Sequence, residues 1–357
     1  MSHPGGGKND IPNRLKRHFS ILNMTLPSNT SLDQIFGAVL RGRFNRRTSP
    51  EDVALVAEVM TETSIALWRA VQDKMLPTPS KFHYIFNLRD LSRLYQGMMQ
   101  CPTATISTGA VLVALWKHEC TRVFADRLNT VEDKKWFDKT LSVAIEEHFG
   151  SDLADQTSEP FYFVDFMRRD SEDVDGNPIA PEKVYEPASV PAVKARLQEF
   201  LRMYNARAAN SKNPEERKGL DLVLFDSAVK HIVRISRTLR LPRGNALLVG
   251  VGGSGKQSLT RLASFISNYK IFQITLSKLY NITNLRDDIS NLYRMCGRDG
   301  HKYTFILTDK DIKDESFLEY INMILTSGYA RLSCVCVPTS YMDARSHSPR
   351  TRLTWLH

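Results

Sequence analysis

The stretch Gly250-Val-Gly-Gly-Ser-Gly-Lys-Gln-Ser258 decides how this chain is read. It has the form G-x-x-x-x-G-K, followed by Gln257 where Ser or Thr is usual. Before it runs Ala246-Leu-Leu-Val249, an apolar segment suited to a buried strand. After it runs Leu259-Thr-Arg-Leu-Ala-Ser-Phe-Ile266, whose apolar spacing suits a helix. Strand, glycine loop and helix form the context that a phosphate-binding P-loop requires. Gly250, Gly252, Gly253 and Gly255, with Ser254 among them, allow backbone N–H groups to converge on phosphate oxygens, and the helix N-terminus adds partial positive charge. Lys256 is placed to reach the β- and γ-phosphates of ATP, or the β-phosphate of ADP. The hydroxyl that usually assists Mg²⁺ is displaced by one position, to Ser258.

Such a site needs a second strand ending in a carboxylate. Tyr303-Thr-Phe-Ile-Leu-Thr-Asp309 supplies it, and Asp309 is the candidate that holds Mg²⁺ through water. In ring-forming AAA+ ATPases a Glu usually follows that Asp and orients the attacking water, whereas here Lys310 follows. Asp311, Asp314 and Glu315 are near in sequence but lie one or more places along and face elsewhere.

The 357 residues suffice for two domains, and 42% hydrophobic with 24% charged residues is the balance of a globular protein. No run approaches the ~18 apolar residues of a membrane helix. The first ten residues lack the apolar core of a signal peptide. Five scattered cysteines give neither a disulfide framework nor C-x-x-C spacing, so a reducing intracellular setting is expected, with no metal beyond Mg²⁺. The net charge of +9 is spread over basic surface at both ends of the chain, including Lys8, Arg14, Lys16, Arg17, Arg345, Arg350 and Arg352. No nucleic-acid module accompanies it, and neither nucleic acid nor membrane is an expected partner.

Residues 45 to 150 read as all-α. Thr48-Ser-Pro-Glu-Asp52 opens one helix with a hydroxyl cap and early acids, and helical spacing carries it to about Met75. Further helices are expected from His83, over Val111–Leu128 and over Trp136–Phe149. Residues 151 to 240 form a connection with entry helices over Val193–Tyr204 and Leu222–Leu239. Residues 241 to 328 then alternate strand and helix, with strands at Ala246–Val249, Ile271–Leu276 and Tyr303–Thr308, which implies a parallel sheet.

Long stretches of the chain resemble an axonemal dynein heavy chain. They are His3-Pro-Gly-Gly-Gly-Lys-Asn-Asp-Ile-Pro12, His83-Tyr-Ile-Phe-Asn-Leu-Arg-Asp-Leu-Ser-Arg93, Trp116-Lys-His-Glu119, Gly244 to Leu259, and Thr308 to Leu318. The Gly-Lys-Gln-Ser form of the P-loop is similar to that of the fourth AAA+ module. The resemblance implies that residues 1 to 150 end the third module, with a loop and strand remnant and then the helical lid. It also implies that residues 241 to 328 begin the nucleotide core of the fourth. Arg89 stands where the family places its sensor-2 arginine, which touches the nucleotide of its own module. Lys8 stands where related modules often carry an arginine aimed at a neighbour's phosphates, but lysine lacks the bidentate fork.

The implied parent is a microtubule motor ATPase of the ciliary or flagellar axoneme, in the cytoskeleton, with a regulatory site in this module. Its partners would be the rest of the heavy chain and other dynein subunits, and microtubules would be touched only through regions outside this chain. The alternatives are a fragment that binds nucleotide or partners without hydrolysis, and a stand-alone P-loop protein acting on nucleic acid.

The family likeness stops after Gly328, and residues 329 to 357 read as an unstructured tail. In the AAA+ sheet order 5-1-4-3-2 the fourth strand separates the P-loop strand from the Asp309 strand. Strands four and five should follow Gly328, so the core reads as incomplete, with both edges of the P-loop strand unpaired. Leu332-Ser-Cys-Val-Cys-Val337 is the only candidate replacement that the pattern suggests.

Overall fold

The computed structural model describes residues 11–20, 22, 26–157, 161–169, 171–172, 178–179, 181–210, 219–241, 244–277, 279–298, 300–327 and 351–356. They form two compact units, one up to Val190 and the other from Pro191.

The first unit is a helical bundle preceded by short helical turns. Its long helices are α1 (Glu51–Lys74), α2 (Leu88–Met98), α3 (Gly109–Val123) and α4 (Val131–Phe149). Apolar residues recur along α1 on one face, from Val53, Ala57 and Met60 to Trp68 and Val71, and this face is buried against α3 and α4. Trp116 of α3 is fully buried, and its indole N–H donates to Ser64 Oγ at 2.8 Å, so the polar atom of a large core residue is satisfied.

Local capping moves several helix starts from the expected positions. Asn87 and Asp90 form a reciprocal capping box, so α2 begins at Leu88 rather than at His83. Thr130 caps α4 at Val131, ahead of the expected Trp136. Thr48 does not cap α1. Its hydroxyl donates to Arg43 O at 3.2 Å, while Asp52 in the first turn of α1 accepts from Gly109 N–H at 2.7 Å and so serves the start of α3. Leu15–Asn23, expected to end in strand-like residues, is described only in part, and Asn13–Lys16 makes a helical turn.

The described residues of the connection after residue 150 include a paired ribbon. Strands β1 (Phe161–Val164) and β2 (Glu186–Ser189) pair antiparallel, with Phe161 opposite Ser189. Phe163 and Tyr185 join the core of the bundle, and the Tyr185 hydroxyl donates to the buried Glu119 carboxylate at 2.7 Å. The bundle's compact unit therefore runs on to Val190.

The second unit contains α5 (Val190–Asn210), α6 (Asp226–Arg240), β3 (Ala246–Leu248), α7 (Lys256–Ile266), β4 (Lys270–Gln273), α8 (Ile282–Gly297), β5 (Tyr303–Thr308), α9 (Ser316–Ser327) and β6 (Thr351–Leu356). The strands form one parallel sheet in the order β3-β6-β5-β4. From Tyr303 to Leu307 every residue of β5 is buried, as expected of a parallel strand covered on both faces. Phe305, Leu285, Ile289, Phe317 and Ile321 form the core between β5 and its helices α8 and α9.

The sheet corrects two expectations. The segment after Gly328 is not wholly without structure, and the P-loop strand is not unpaired on both edges. Thr351–Leu356 occupies the fourth-strand position, pairing with β3 through Ala246–Thr354 to Leu248–Leu356 and with β5 through Tyr303–Thr351 to Thr308–Leu356. Two threonines and a tryptophan give this segment β-propensity, although it contains an arginine and is barely longer than chance. The candidate Leu332–Val337 lies outside the described residues.

Candidate functional site

The site starts at the carboxyl ends of the strands. Leu248 of β3, Leu356 of β6 and Thr308 of β5 lie in one register row. The next residue after Leu248 leads into Gly250, and the next after Thr308 is Asp309. Two strand spacings of ~4.8 Å separate the outer members of this row, so the glycine loop and Asp309 leave the same sheet edge roughly 10 Å apart. In open α/β sheets this edge is where ligands bind.

The loop takes the shape that its glycines permit. Gly253 and Gly255 have φ of 79° and 77°, in the left-handed region that side-chain-bearing residues avoid. Gly255 is the N-cap of α7, which makes Lys256 its first residue and leaves the helix's first N–H groups directed at the loop. At Gly250 a Cβ would come to 3.3 Å from Ser254 Oγ, so the loop closes tightly there. At Gly252 an added Cβ would meet nothing within 4 Å. The Lys256 ammonium donates to the carbonyl oxygens of Gly250 and Val251, the latter at 3.1 Å, and among the described residues no carboxylate pairs with it. Gln257 is exposed and Ser258 is half-buried on the first turn of α7.

Across the gap, the carboxylates divide their roles. Asp309 is exposed at the head of a short 3₁₀ turn, Asp309–Asp311. Asp311 is buried, and its Oδ2 accepts from Thr308 N–H and Thr308 Oγ1, each at 2.8 Å. Asp314 accepts from the Ser316 backbone N–H at 2.9 Å, which holds its carboxyl below the usual range. Lys310 is exposed beside Asp309. Asp311 and Asp314 are thus engaged in turn and helix capping, and Asp309 stands at the strand end.

Side-chain pins tie the two halves together, and sequence patterning did not single them out. Ser264 of α7 donates to Thr304 Oγ1 of β5 at 3.1 Å in a fully buried layer. Arg261 of α7 donates to Gln273 Oε1 of β4 at 3.0 Å. In the sequence these residues look like polar interruptions of apolar runs, and that interruption was the available signal.

Arg89 belongs to the other unit. It is the second residue of α2, its side chain is exposed, and its backbone N–H donates to Asn87 Oδ1. The ion pair at this helix start is made instead by Asp90, buried and bonded to Arg127, with Arg93 at 3.6 Å. Lys8 lies outside the described residues. Among the described residues no helix is long and apolar enough to cross a membrane, and no His, Cys, Asp and Glu cluster could hold a metal ion.

A P-loop at the carboxyl edge of a parallel sheet, an acidic strand end one strand away, and a separate helical bundle define the AAA+ class of P-loop nucleotide-binding proteins. The profile of the AAA+ lid domain matches residues 60–159, and that of the P-loop containing dynein motor region D4 matches residues 220–332. Among similar proteins, dynein axonemal heavy chain 5 of Mus musculus is 49% identical over 336 residues, covering 92% of this chain and 7% of that protein. Dynein axonemal heavy chain 8 of Homo sapiens is 49% identical over 335 residues, with the same coverage. The dynein gamma chain of the flagellar outer arm of Chlamydomonas reinhardtii is 44% identical over 349 residues, covering 92% of this chain and 8% of its own length. The chain belongs to the axonemal dynein heavy-chain family, and it spans less than a tenth of the length of these relatives.

Proposed function

We propose that this chain is the stretch of an axonemal dynein heavy chain that runs from the lid of the third AAA+ module into the nucleotide core of the fourth. Its site binds ATP or ADP with Mg²⁺ and acts as a regulatory site. The register row that brings the glycine loop and Asp309 to one sheet edge is the observation that carries this reading.

Each residue has a role that its surroundings support. The N–H groups of Gly252 to Lys256 would hold phosphate, with Gly250 closing the turn. Lys256, whose ammonium rests only on loop carbonyls, can exchange them for phosphate oxygens without breaking an ion pair. Ser258 and Asp309 would hold Mg²⁺, which supplies charge neutralisation when bound, with Gln257 beside them. Arg89, exposed and without an ion pair among the described residues, would serve the nucleotide of the preceding module rather than this one.

The site favours binding over turnover. Lys310 stands where a water-orienting Glu is usual, and Asp311 is committed to its cap. This favours a nucleotide-responsive element over an ATPase in its own right. The parent motor would work in the cilium or flagellum, with the remainder of the heavy chain as its first partner.

Titration of the purified chain with a fluorescent ATP analogue and Mg²⁺ tests the assignment. Lys256→Ala should weaken binding by at least about tenfold, the equivalent of ~1.4 kcal/mol from one lost charge-assisted contact. Equal affinity in the variant would remove the site assignment.

A further inference from the structure

We infer that the gap between β3 and β5 is a strand-acceptor slot, filled by Thr351–Leu356 as a separable peptide, and that the nucleotide site exists only while the slot is filled. The argument starts from adjacency. β3 and β5 do not pair with each other, and β6 is the strand between them. It matches all six residues of β5 and all three of β3, so it completes both ladders at once. By contrast, β4 pairs only with β5, and its placement does not depend on β6.

Among the described strands the P-loop strand β3 has one partner, β6, and Leu247 at the centre of β3 is 63% exposed. Without β6 the backbone groups of Ala246–Leu248 lose every strand partner, and the glycine loop loses its register with Asp309. A three-residue strand cannot hold such a position without a ladder.

In the sequence, residues 328–350 lie between α9 and β6. The contacts that place β6 are backbone ladders to β3 and β5, so the same segment supplied as a free peptide can compete for the slot. The chemistry that the slot recognises is that of a short parallel strand with hydrogen-bonding groups on both edges, as in recognition by strand addition.

The test uses the full chain carrying Thr354→Pro. Thr354 is opposite both Ala246 and Ile306, so whichever way its N–H points, proline there removes a ladder donor in a central strand. Hydrogen exchange is followed over residues 246–248 and 303–308, with α3 of the helical bundle as an internal control. We expect exchange over 246–248 to rise by at least about tenfold in the variant while α3 is unchanged. Added peptide Arg350–His357 should return it to near the parent rate, and the same peptide carrying Thr354→Pro should not. Unchanged exchange in the variant, or a loss that the parent peptide fails to reverse, overturns the inference.

The consequence for nucleotide rests on the proposed function, but the exchange readout does not. In parallel, binding of the fluorescent ATP analogue should vanish with Thr354→Pro and return with the peptide. If the parent chain shows a protected β3 yet binds no nucleotide, the functional reading fails while the slot stands.

Discussion

The helical bundle and the nucleotide unit solve the same packing problem with opposite uses of chain order. In the bundle, α2 packs on α3, and α1 packs on α3 and α4, all within one continuous run of helices. In the nucleotide unit, the strand at the middle of the sheet is the last described element of the chain. Local contacts form early and cheaply, whereas a parallel strand recruited from far along the chain must first pay for loop closure. The bundle is therefore robust through its core, and the nucleotide unit is conditional on geometry at a few backbone positions.

Core truncation in the bundle gives the largest expected effect. Trp116→Ala removes a fully buried indole and leaves the Ser64 hydroxyl without its donor, and should cost about 3–5 kcal/mol. Chemical denaturation followed by helix signal measures it. A cost under about 1 kcal/mol would mean that the bundle is not held by this core, and the contrast would collapse.

The nucleotide unit should instead be sensitive to a single backbone position. Gly255→Ala adds a Cβ that would meet nothing within 4 Å, so its whole penalty is the left-handed conformation at φ 77°. That penalty is about 1–2 kcal/mol, and the distorted loop should bind the ATP analogue more weakly. Gly255→Asn should recover part of both losses, since asparagine tolerates this region better. An alanine variant with parent stability and affinity would show that the loop geometry does not set the site.

A smaller effect, confined to acid pH, sharpens the contrast from the bundle's side. Burial works to raise the pKa of Asp133, but hydrogen bonds from Lys81, Thr130 and Tyr84 outweigh it and leave it below the ordinary value. Lys81 Nζ and the Tyr84 hydroxyl reach Asp133 Oδ2 at 2.6 and 2.9 Å. The folded pKa is depressed, so the contribution is fully present above the unfolded value near ~3.9 and is lost as pH falls through the folded value. Denaturation midpoints between pH 5 and 3 should fall less steeply in Asp133→Asn than in the parent chain. Identical slopes would remove Asp133 from the account.

The glycine loop and most of the fold were legible because their residues leave little choice. Glycine at 250, 253 and 255 with Lys256 admits one loop, and the apolar run from Tyr303 to Leu307 admits a strand buried on both faces. Helix starts were less legible, because Asn87 and Thr130 cap their helices through local hydrogen bonds that hydrophobic periodicity does not register. The ribbon of β1 and β2 was hidden because Phe163 and Tyr185 are isolated apolar residues in a polar stretch, and only tertiary contact gives them weight. Thr351–Leu356 was missed for a related reason. A central strand normally announces itself by a long apolar run, and this one relies on neighbours already in place.

The hydroxyl pair between Ser264 and Thr304 has a mechanical meaning. It sits in an otherwise apolar layer and joins the helix that begins with Lys256 to the strand that ends beside Asp309. Turning α7 about its axis, or sliding it along β5, would part the two hydroxyls. Ser264 keeps its bond to Thr260 O at 2.8 Å, so the Thr304 hydroxyl bears the cost of about 1–3 kcal/mol. The pair acts as a detent. It favours movement of the helix and strand together over slippage of one past the other, and so links the helix that bears Lys256 to the strand that ends beside Asp309.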